Sequence, residues 1–383
     1  MTAFRPFWIA LVFLLLPVPG SANDLIRVLL VQDAQRLEVS AAGGLTVRLP
    51  NGETRVVADT VVARPIPGGL TVNGETVAGD SIVVRSRNGD LTVRNGSNGG
   101  GEQKPLVVTG SLKLLVRGGA LQLVNEVDLE EYTKGVVPAE MSPAWHPEAL
   151  KAQAVVARTY ALYQRTLNAA RDYDLVATVQ DQVYQGRQGI DQRVQQAVES
   201  TRGLAVAYQN APIYAAFSST AAGPTEDAVN VWSKDLPYLK GVDCPFDENA
   251  PRYQWRTALK LSELENTFRR QGVDVGAIAS LTPFAYSRAG RVTKLRILHS
   301  RGELILRGED FRRLIGYSVI PSTQFDVDVM GWELVLSGRG AGHAVGLCQW
   351  GAKEMAEHGY SYATILAYYF PGTELKRTSS LSR

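Results

Sequence analysis

The chain is poor in cysteine, has no marked excess of either charge, and carries no long apolar run beyond its first 20 residues. Its 383 residues include only two cysteines, Cys244 and Cys348, and in an oxidising compartment the default expectation for such a pair is one disulfide. Forty Lys and Arg residues nearly balance 38 Asp and Glu residues. This balance disfavours a nucleic-acid partner, because such proteins carry a clustered basic excess.

Two common motifs are also missing. Ser218 and Ser219 lie in a segment rich in hydroxyl groups, but no Gly-x-Ser-x-Gly elbow surrounds either of them, which weakens a serine-hydrolase interpretation. The glycine-rich segment 338–351 is not followed by Lys-Ser or Lys-Thr, so it does not fit a phosphate-binding loop.

Residues 1–22 have the layout of a secretory signal peptide. Arg5 provides a positive start, residues 7–16 (FWIALVFLLL) are uniformly apolar, and Gly20-Ser21-Ala22 supplies small residues for cleavage after Ala22. A transmembrane anchor is the alternative, but the run is shorter than the roughly 20 apolar residues that a spanning helix needs. No cysteine lies nearby, so a lipid-modified N-terminus is not indicated. We therefore expect export to the periplasm or another extracytoplasmic part of the cell envelope.

Residues 23–101 are predicted to form a small all-β accessory domain. Short runs of β-branched residues alternate with turn signals such as Asn51-Gly52 and Asn88-Gly89, and this pattern favours β-hairpins. Residues 95–101 (NGSNGGG) have the composition of a flexible linker, which places a predicted domain boundary at residue 101. Binding of glycan or of a partner is the functional alternative for this domain.

Residues 102–383 are predicted to form a mixed α/β catalytic domain with a central substrate cleft, so that the fold class of the chain is α+β. A capping box predicts a helix over residues 128–137 that Pro138 stops. A proline in the first turn predicts a second helix over residues 147–169, whose small apolar face indicates close packing.

Glu140 is the candidate catalytic acid. Four apolar residues bracket it in the sequence: Val137, Ala139, Met141 and Trp145. Apolar surroundings disfavour the charged form of a carboxyl group and raise its pKa, as a general acid requires near neutral pH; lysozyme holds its acid against a tryptophan in this way. The alternative is a helix-capping or salt-bridged glutamate, for example one paired with Arg158.

The segment 338–351 is a candidate sugar-binding element. Four glycines within nine residues allow close approach of the backbone to a ligand. His343, Gln349 and Trp350 supply a donor or acceptor, an amide and a flat apolar face, which suit the edges and faces of a sugar ring. The alternative is a glycine-rich turn with a buried tryptophan and a satisfied histidine.

Together these segments resemble the stage II sporulation protein D family, also called the SpoIID/LytB domain. The resemblance covers about residues 105–375 and rests on five stretches: 126–162 (EVDLEEYTKGVVPAEMSPAWHPEALKAQAVVARTYAL), 181–186 (DQVYQG), 217–232 (FSSTAAGPTEDAVNVW), 237–247 (PYLKGVDCPFD) and 338–375 (GRGAGHAVGLCQWGAKEMAEHGYSYATILAYYFPGTEL).

The resemblance implies a peptidoglycan lytic transglycosylase. Such an enzyme cuts the bond between N-acetylmuramic acid and N-acetylglucosamine and leaves 1,6-anhydro ends. It implies that Glu140 is the general acid and then the base, and that Arg158 is an active-site arginine. It also implies seven residues lining the cleft: Gln182, Tyr184, Ser219, Thr220, His343, Gln349 and Trp350. One carboxylate suffices, because the 6-hydroxyl of the sugar is a tethered nucleophile, whereas hydrolysing glycosidases normally use two.

The chain departs from the family pattern at three places. Ser218 replaces the histidine of the usual Phe-His-Ser-Thr, Ala341 replaces the tryptophan of Gly-Trp-Gly-His-Gly, and Ala221-Ala222 replaces Ser-Gly. These changes support a second hypothesis, a non-catalytic glycan-binding protein that modulates a cell-wall amidase. The expected partners are glycan strands, with peptide-free strands as one option, and an amidase or a component of the divisome.

Some members of the family bind zinc through cysteine and histidine near these segments. Cys244, Cys348 and His343 are the ligands that this implies, but a structural zinc site uses four, and Asp247 stands where a second nearby cysteine would. We therefore expect no cofactor, and either a Cys244–Cys348 disulfide or two free thiols. A disulfide closing a loop of about 100 residues would stabilise the fold by about 4–5 kcal/mol in the chain-entropy model.

Overall fold

The computed structural model describes residues 24–96 and 104–382. The predicted signal peptide and most of the predicted linker lie outside the described residues. The described part contains eight α-helices and 24 β-strands, which confirms the predicted α+β class. Within these ranges, none of the helices combines the length and the apolar character needed to cross a bilayer.

The N-terminal part is a pair of β-sheets around one core. Its strands are β1 (Leu25–Ala34), β2 (Leu37–Ser40), β3 (Leu45–Arg48), β4 (Thr54–Val57), β5 (Thr60–Ile66), β6 (Gly69–Val72), β7 (Glu75–Ala78), β8 (Ser81–Ser86), β9 (Leu91–Asn95), β10 (Leu106–Val108), β11 (Ser111–Arg117) and β12 (Ala120–Asp128). Together with β13 (Leu175–Val176) they form a seven-stranded sheet, β13-β1-β12-β11-β8-β3-β4, and a six-stranded sheet, β10-β9-β2-β5-β6-β7. Alternate residues of each sheet enter a shared apolar cluster.

The predicted domain boundary at residue 101 does not separate these sheets. Strands on its far side pair with strands on its near side: β10 lies antiparallel to β9, β11 to β8, and β12 to β1. The glycine-rich segment therefore connects two neighbouring strands of one sheet, and the all-β region continues to residue 128. Glycine composition indicates only that a segment can turn, so it could not distinguish a hairpin connection from an interdomain linker.

Two helices follow the sheets directly. α1 (Leu129–Glu140) begins as predicted, since the Asp128 carboxylate accepts hydrogen bonds from the Glu130 and Glu131 amides. Its predicted end is wrong, because the helix continues through Pro138 to Glu140. A proline in the last turn removes a single backbone donor, and the Met141 amide still closes the turn on the Val137 carbonyl at 2.9 Å.

α2 (Pro147–Leu167) is the buried centre of the second half. Most of its middle residues have no exposed surface, and its alanines allow close approach of neighbouring elements, as predicted. Those neighbours include α1, α3 (Gln192–Ser200) and β14 (Leu204–Tyr208). Further along lie β15 (Ala211–Pro212), β16 (Phe217–Ser218) and the short α4 (Ala228–Trp232).

Residues 254–339 form a module with its own apolar core. Its elements are β17 (Gln254–Lys260), α5 (Leu261–Arg270), β18 (Ile278–Tyr286), β19 (Val292–His299), β20 (Gly302–Arg307), α6 (Gly308–Ile315), β21 (Gln324–Met330) and β22 (Glu333–Arg339). They make two three-stranded sheets, β17-β22-β21 and β18-β19-β20. The sequence pattern predicted one domain over residues 102–383 and did not indicate this module.

The chain then returns to α2. β23 (Leu347–Cys348) pairs in parallel with β16, α7 (Gln349–Glu357) and α8 (Tyr362–Tyr369) pack on α2, and β24 (Glu374–Arg377) pairs with β14. A short 3₁₀ helix, Thr378–Ser380, follows. The β16–β23 pairing brings residues that are 130 positions apart in the sequence, Phe217 and Leu347, into register.

Gly135 in α1 is expected to resist substitution although it lies inside a helix. A Cβ there would lie 2.4 Å from the Gly186 carbonyl oxygen and 2.5 Å from the Tyr184 ring. Gly135→Ala should therefore lower the midpoint of thermal unfolding, even though alanine favours a helix interior by about 1 kcal/mol. Differential scanning calorimetry should show this loss, while the control Glu131→Ala on the same helix should change the midpoint little. A Gly135→Ala protein as stable as the unmodified one would contradict this packing.

Candidate functional site

Glu140 is the last residue of α1, and its carboxyl group is half-buried. The Val183 amide donates a hydrogen bond to Glu140 Oε1 at 2.7 Å, and Gln349 Nε2 donates to the Glu140 backbone carbonyl at 3.2 Å. Burial raises the pKa of Glu140, and the nearby Val183 and Gln349 amides partly oppose this increase. The residue therefore has the protonation behaviour expected from its apolar sequence context.

Two half-buried tryptophans lie in the chain segments next to Glu140 and Gln349. The Trp145 ring meets the Trp350 ring edge-on, with 5.1 Å between their centroids, and Lys353 Nζ lies 5.3 Å from the centre of Trp350. Trp350 directly follows Gln349, and Trp145 lies in the turn after Glu140. The tryptophan missing at position 341 thus does not leave the site without aromatic surface.

The segments 217–226 and 338–351 lie side by side through the β16–β23 pairing. The Ser219 side chain is half-buried, and its backbone carbonyl accepts the Trp350 amide at 3.0 Å. Thr220 is buried, and its hydroxyl donates to Asp247 Oδ2 at 3.1 Å. The predicted cleft-lining position of Thr220 is therefore corrected: its buried side chain binds Asp247 and holds the loop of residues 219–222 in place.

Asp247 organises this loop. Its Oδ2 also accepts the backbone amides of Ala221 and Ala222, at 2.7 and 2.8 Å. In the sequence, Asp247 was notable only because it stands where a second nearby cysteine would. Asp247 binds backbone amides, which every residue except proline has. The identity of residues 221 and 222 therefore could not indicate this role.

His343 is half-buried against the Trp232 ring, with 4.8 Å between centroids. Its Nδ1 accepts the Val345 amide at 3.0 Å, which assigns the proton of the neutral ring to Nε2. Burial, together with the positive charges of Arg312 and Arg291, lowers the pKa of His343 to about 3. The ring is therefore neutral at physiological pH, and because the Val345 amide occupies Nδ1, it is the Nε2–H that can donate a hydrogen bond.

Ser218 occupies the place of the family's usual histidine in a tightly packed corner. Its hydroxyl accepts the Ala344 amide at 3.1 Å. A Cβ added at Gly342 would lie 2.5 Å from the Ser218 Cβ, so the glycine and the serine are packed directly against each other. The side chain at position 218 is buried, and it supplies no titratable group to the site.

Arg158 is not in contact with Glu140. Its guanidinium is fully buried and binds both carboxylate oxygens of Glu130, at 2.9 and 2.6 Å. Glu130 lies ten residues before Glu140 on α1, which corresponds to about 15 Å of helix. The predicted placement of Arg158 in the cleft is therefore corrected, because its natural partner is the glutamate at the buried end of the helix.

Gln182 and Tyr184 are also buried. Gln182 Oε1 accepts the Tyr132 hydroxyl at 2.9 Å, and the Tyr184 hydroxyl donates to Asn125 Oδ1 at 3.1 Å. Both side chains therefore point into the core, which corrects their predicted cleft-lining positions. The residue between them, Val183, contacts Glu140 through its backbone amide. Because the contact does not involve the side chain, the residue type at position 183 could not predict it.

Cys244 and Cys348 are buried free thiols, which agrees with the second of the two expected alternatives and not with the disulfide. Cys348 Sγ donates to Asp247 Oδ2 at 3.2 Å, and burial raises the pKa of this thiol well above its ordinary value. Ligand atoms of Cys244, Cys348 and Asp247 lie within 4.8 Å of one another. In the described residues this group has three donors and excludes His343, so it does not complete a four-ligand zinc site.

One family is named both by a matching family model and by a curated relative. The model of the "Stage II sporulation protein" family matches residues 117–208, and a model described only as a domain of unknown function matches residues 229–346. An uncharacterised protein of Brachyspira hyodysenteriae is 35% identical over 308 residues, covering 80% of this chain and 79% of that protein. The stage II sporulation protein D of Bacillus subtilis is 31% identical over 276 residues, covering 68% of this chain and 78% of that protein. The amidase enhancer of Bacillus subtilis is 33% identical over 287 residues, covering 63% of this chain and 40% of that protein.

Arg158 is expected to contribute to stability. Arg158→Met leaves the Glu130 carboxylate buried without its partner and should lower the free energy of unfolding by about 3–5 kcal/mol. The double variant Glu130→Leu/Arg158→Met removes both charges and should recover much of that loss. Urea denaturation followed by circular dichroism measures both. An Arg158→Met protein with an unchanged free energy of unfolding would show that the Glu130–Arg158 pair does not stabilise the fold.

Proposed function

The chain belongs to the stage II sporulation protein D family, and we propose on that premise that it is a peptidoglycan lytic transglycosylase. The proposed reaction cleaves the bond from N-acetylmuramic acid to N-acetylglucosamine and leaves a 1,6-anhydromuramic end. The observation that carries the proposal is the half-buried Glu140 carboxyl, which accepts the Val183 amide and whose pKa burial raises.

Glu140 acts twice in this scheme. As an acid it donates its proton to the glycosidic oxygen, and the bond from that oxygen to the anomeric carbon of muramic acid breaks. The resulting carboxylate accepts the Val183 amide, a charge-assisted hydrogen bond that stabilises the anion. As a base it then takes the proton of the 6-hydroxyl, whose oxygen bonds to the anomeric carbon. Glu140 ends the cycle protonated, and no water is consumed.

The neighbouring side chains fit the binding of a sugar polymer. Trp145 and Trp350 offer apolar faces to sugar rings, and the neutral His343 and the half-buried Ser219 hydroxyl offer hydrogen bonds to hydroxyl groups. Gln349 holds the end of α1 through the Glu140 carbonyl. We place the substrate cleft along this surface and assign the buried Gln182, Tyr184, Thr220 and Arg158 to its support.

Export to the cell envelope is part of the same proposal. The signal-peptide layout of residues 1–22 directs the protein to the compartment where its substrate is located. The names of the relatives, a sporulation protein and an amidase enhancer, support a role at the cell wall.

A second candidate is a non-catalytic glycan-binding protein that stimulates an amidase. Two observations favour it: Ser218 supplies no titratable group where the family pattern has a histidine, and the amidase enhancer is a relative. Under this hypothesis the aromatic surface binds glycan, but Glu140 transfers no proton. The experiment that follows distinguishes the two candidates.

Glu140→Gln should abolish formation of anhydromuramic ends. Removing a general acid typically reduces a rate by about 10²- to 10⁴-fold, and mass spectrometry of digested glycan strands detects the product. The variant should remain folded, since an amide at a half-buried position avoids the cost of burying a charge.

The matched control is Glu131→Gln, which removes one half-buried carboxylate from the first turn of the same helix and should retain the activity. If the unmodified protein binds strands without producing anhydromuramic ends, the second candidate is favoured. If both variants retain full activity, Glu140 is not the acid.

The rate of cleavage should fall as the pH rises through the pKa of Glu140. The acid must be protonated to act, and burial moves its pKa above its ordinary value of about 4.3. The alkaline limb of the rate profile should therefore have its midpoint above that value. Initial rates measured from acidic to mildly alkaline pH, with circular dichroism at each pH as a check on folding, provide the test. A rate that rises steadily through this range would contradict an acid role for Glu140.

A further inference from the structure

The turn between β21 and β22 exposes two large apolar side chains. Trp332 is 86% exposed and Met330 is 58% exposed, although both residue types usually lie mostly inside a fold. Met330 and Glu333 pair across the turn, and Gly331 has a φ of +61°, which meets the need of a two-residue hairpin turn for a positive φ. The turn therefore does not require a tryptophan at position 332, and the fold of a single chain gives that side chain no role.

The hairpin holds this tip in an ordered position. β21 and β22 pair without a register shift from Gln324–Arg339 to Met330–Glu333. β17 adds a third strand, and the Leu261 amide donates a hydrogen bond to the Trp332 carbonyl at 3.0 Å. A partner that receives Trp332 therefore meets a backbone that is already fixed, which reduces the entropy lost on binding.

An apolar groove of about 810 Å³ lies on the same module. Aliphatic side chains that are buried or half-buried line it, and they come from β17, α5 and the segment at the end of α6: Leu259, Leu264, Ile315 and Val319. Pockets that take an apolar group typically have volumes of roughly 300–1,000 Å³. The groove is therefore large enough to receive an indole ring.

The charges around the tip and around the groove are opposite. Asp328 and Glu333 are exposed on the face of the hairpin that carries Met330, whereas Arg269 and Arg270 line the groove. Within residues 24–96 and 104–382, Asp328, Glu333 and Arg270 form no ion pair, and Arg269 reaches a carboxylate of its own helix at 3.6 Å. The tip and the groove therefore complement each other in charge as well as in apolar character.

The tip and the groove also lie close together in one chain. Leu259 of the groove directly precedes Lys260, which is the register partner of Glu333 at the tip. Lys260 in turn pairs with Glu263 of the groove at 3.9 Å. A two-fold axis near Lys260 can therefore bring the tip of each copy to the groove of the other, so that one patch of surface serves both copies.

We propose that the chain forms a two-fold dimer in which Trp332 of each copy enters the apolar groove of the other. The indole packs among the aliphatic side chains of the groove, and Arg269 and Arg270 meet Asp328 and Glu333 across the interface. Two buried tryptophans then form the centre of the interface, as aromatic anchors do in protein–protein hot spots. An anionic membrane surface fits the tip less well, because it repels the two carboxylates that flank Trp332.

The dimer leaves the candidate site open. β22 runs about 20 Å from Glu333 at the tip to Arg339 at its other end, and the chain continues from there into the segment that carries His343 and Trp350. The interface therefore lies at the end of the sheet that points away from this segment. The inference is independent of the proposed function, and its test needs no measurement of activity.

Sedimentation velocity of the full chain over a wide range of micromolar concentrations gives the dissociation constant of the dimer. Trp332→Ala should raise this constant at least about 100-fold, because each dimer loses two anchors and one such anchor accounts for about ten-fold or more. The matched control is Phe284→Ala, which removes a 50% exposed ring from the other sheet of the module and should leave the constant unchanged. Both side chains are exposed, so thermal unfolding followed by circular dichroism should be unaltered in either variant.

Two further variants test whether the contact is reciprocal. Asn266→Trp adds a large ring at an exposed position of α5 that lines the groove, and it should block self-association as Trp332→Ala does. A mixture of Asn266→Trp and Trp332→Ala chains retains one intact tip and one intact groove, so the two variants should associate with each other more tightly than either does with itself. Arg270→Glu should weaken the dimer, and adding Glu333→Arg in the same chain should restore part of the loss.

Three outcomes would overturn the proposal. They are a chain that stays monomeric at every concentration, a dimer that Trp332→Ala leaves intact, and a mixture of the two variants that does not associate. A monomeric chain that binds phosphatidylcholine vesicles, and loses this binding in Trp332→Ala, would assign the tip to a membrane instead of a second copy.

Discussion

A buried ion pair at one end of α1 determines where the glutamate at the other end lies. Arg158 on α2 binds Glu130 with both arms of its guanidinium and also donates to the Leu204 carbonyl on β14. Three elements are thereby held around the first turn of α1. The helix spans twelve residues, so anchoring its first turn restricts where Glu140, at its far end, can lie. The chemistry proposed at the far end therefore depends on an interaction that is buried in the core.

The second support of Glu140 comes from the segment that crosses α1. Gly135 brings residues 184–186 into contact with the helix, and this contact places the Val183 amide against the carboxylate. Gln182 and Tyr184 anchor the same segment on either side, through Tyr132 and Asn125. The family resemblance predicted that Gln182 and Tyr184 line the cleft. The side chains of Gln182 and Tyr184, however, are buried in the core, and it is the Val183 backbone amide that contacts Glu140.

The sequence allowed more to be inferred about local structure than about partners. Asp128 and Pro147 indicated where two helices begin, because capping depends on residues near in sequence. The pairing of Arg158 depends instead on which of several glutamates the fold brings within reach, and short-range patterns contain no such information. The same limit applies to Thr220 and to the module at residues 254–339, whose separate core depends on contacts between distant strands. The apolar context of Glu140 predicted the direction of its pKa shift, but its hydrogen-bond partners, Val183 and Gln349, lie far away in the sequence.

The pairing of strands across the glycine-rich segment has a consequence for how this protein can be divided. β11 lies between β8 and β12, and β12 lies between β11 and β1. A truncated chain that began after residue 101 would keep β11 and β12 but expose an unpaired edge on each, and such edges promote aggregation. The all-β region up to residue 128 therefore cannot be cut at residue 101 and exchanged in part. Recombination that replaced it would have to replace the strands of both sheets together.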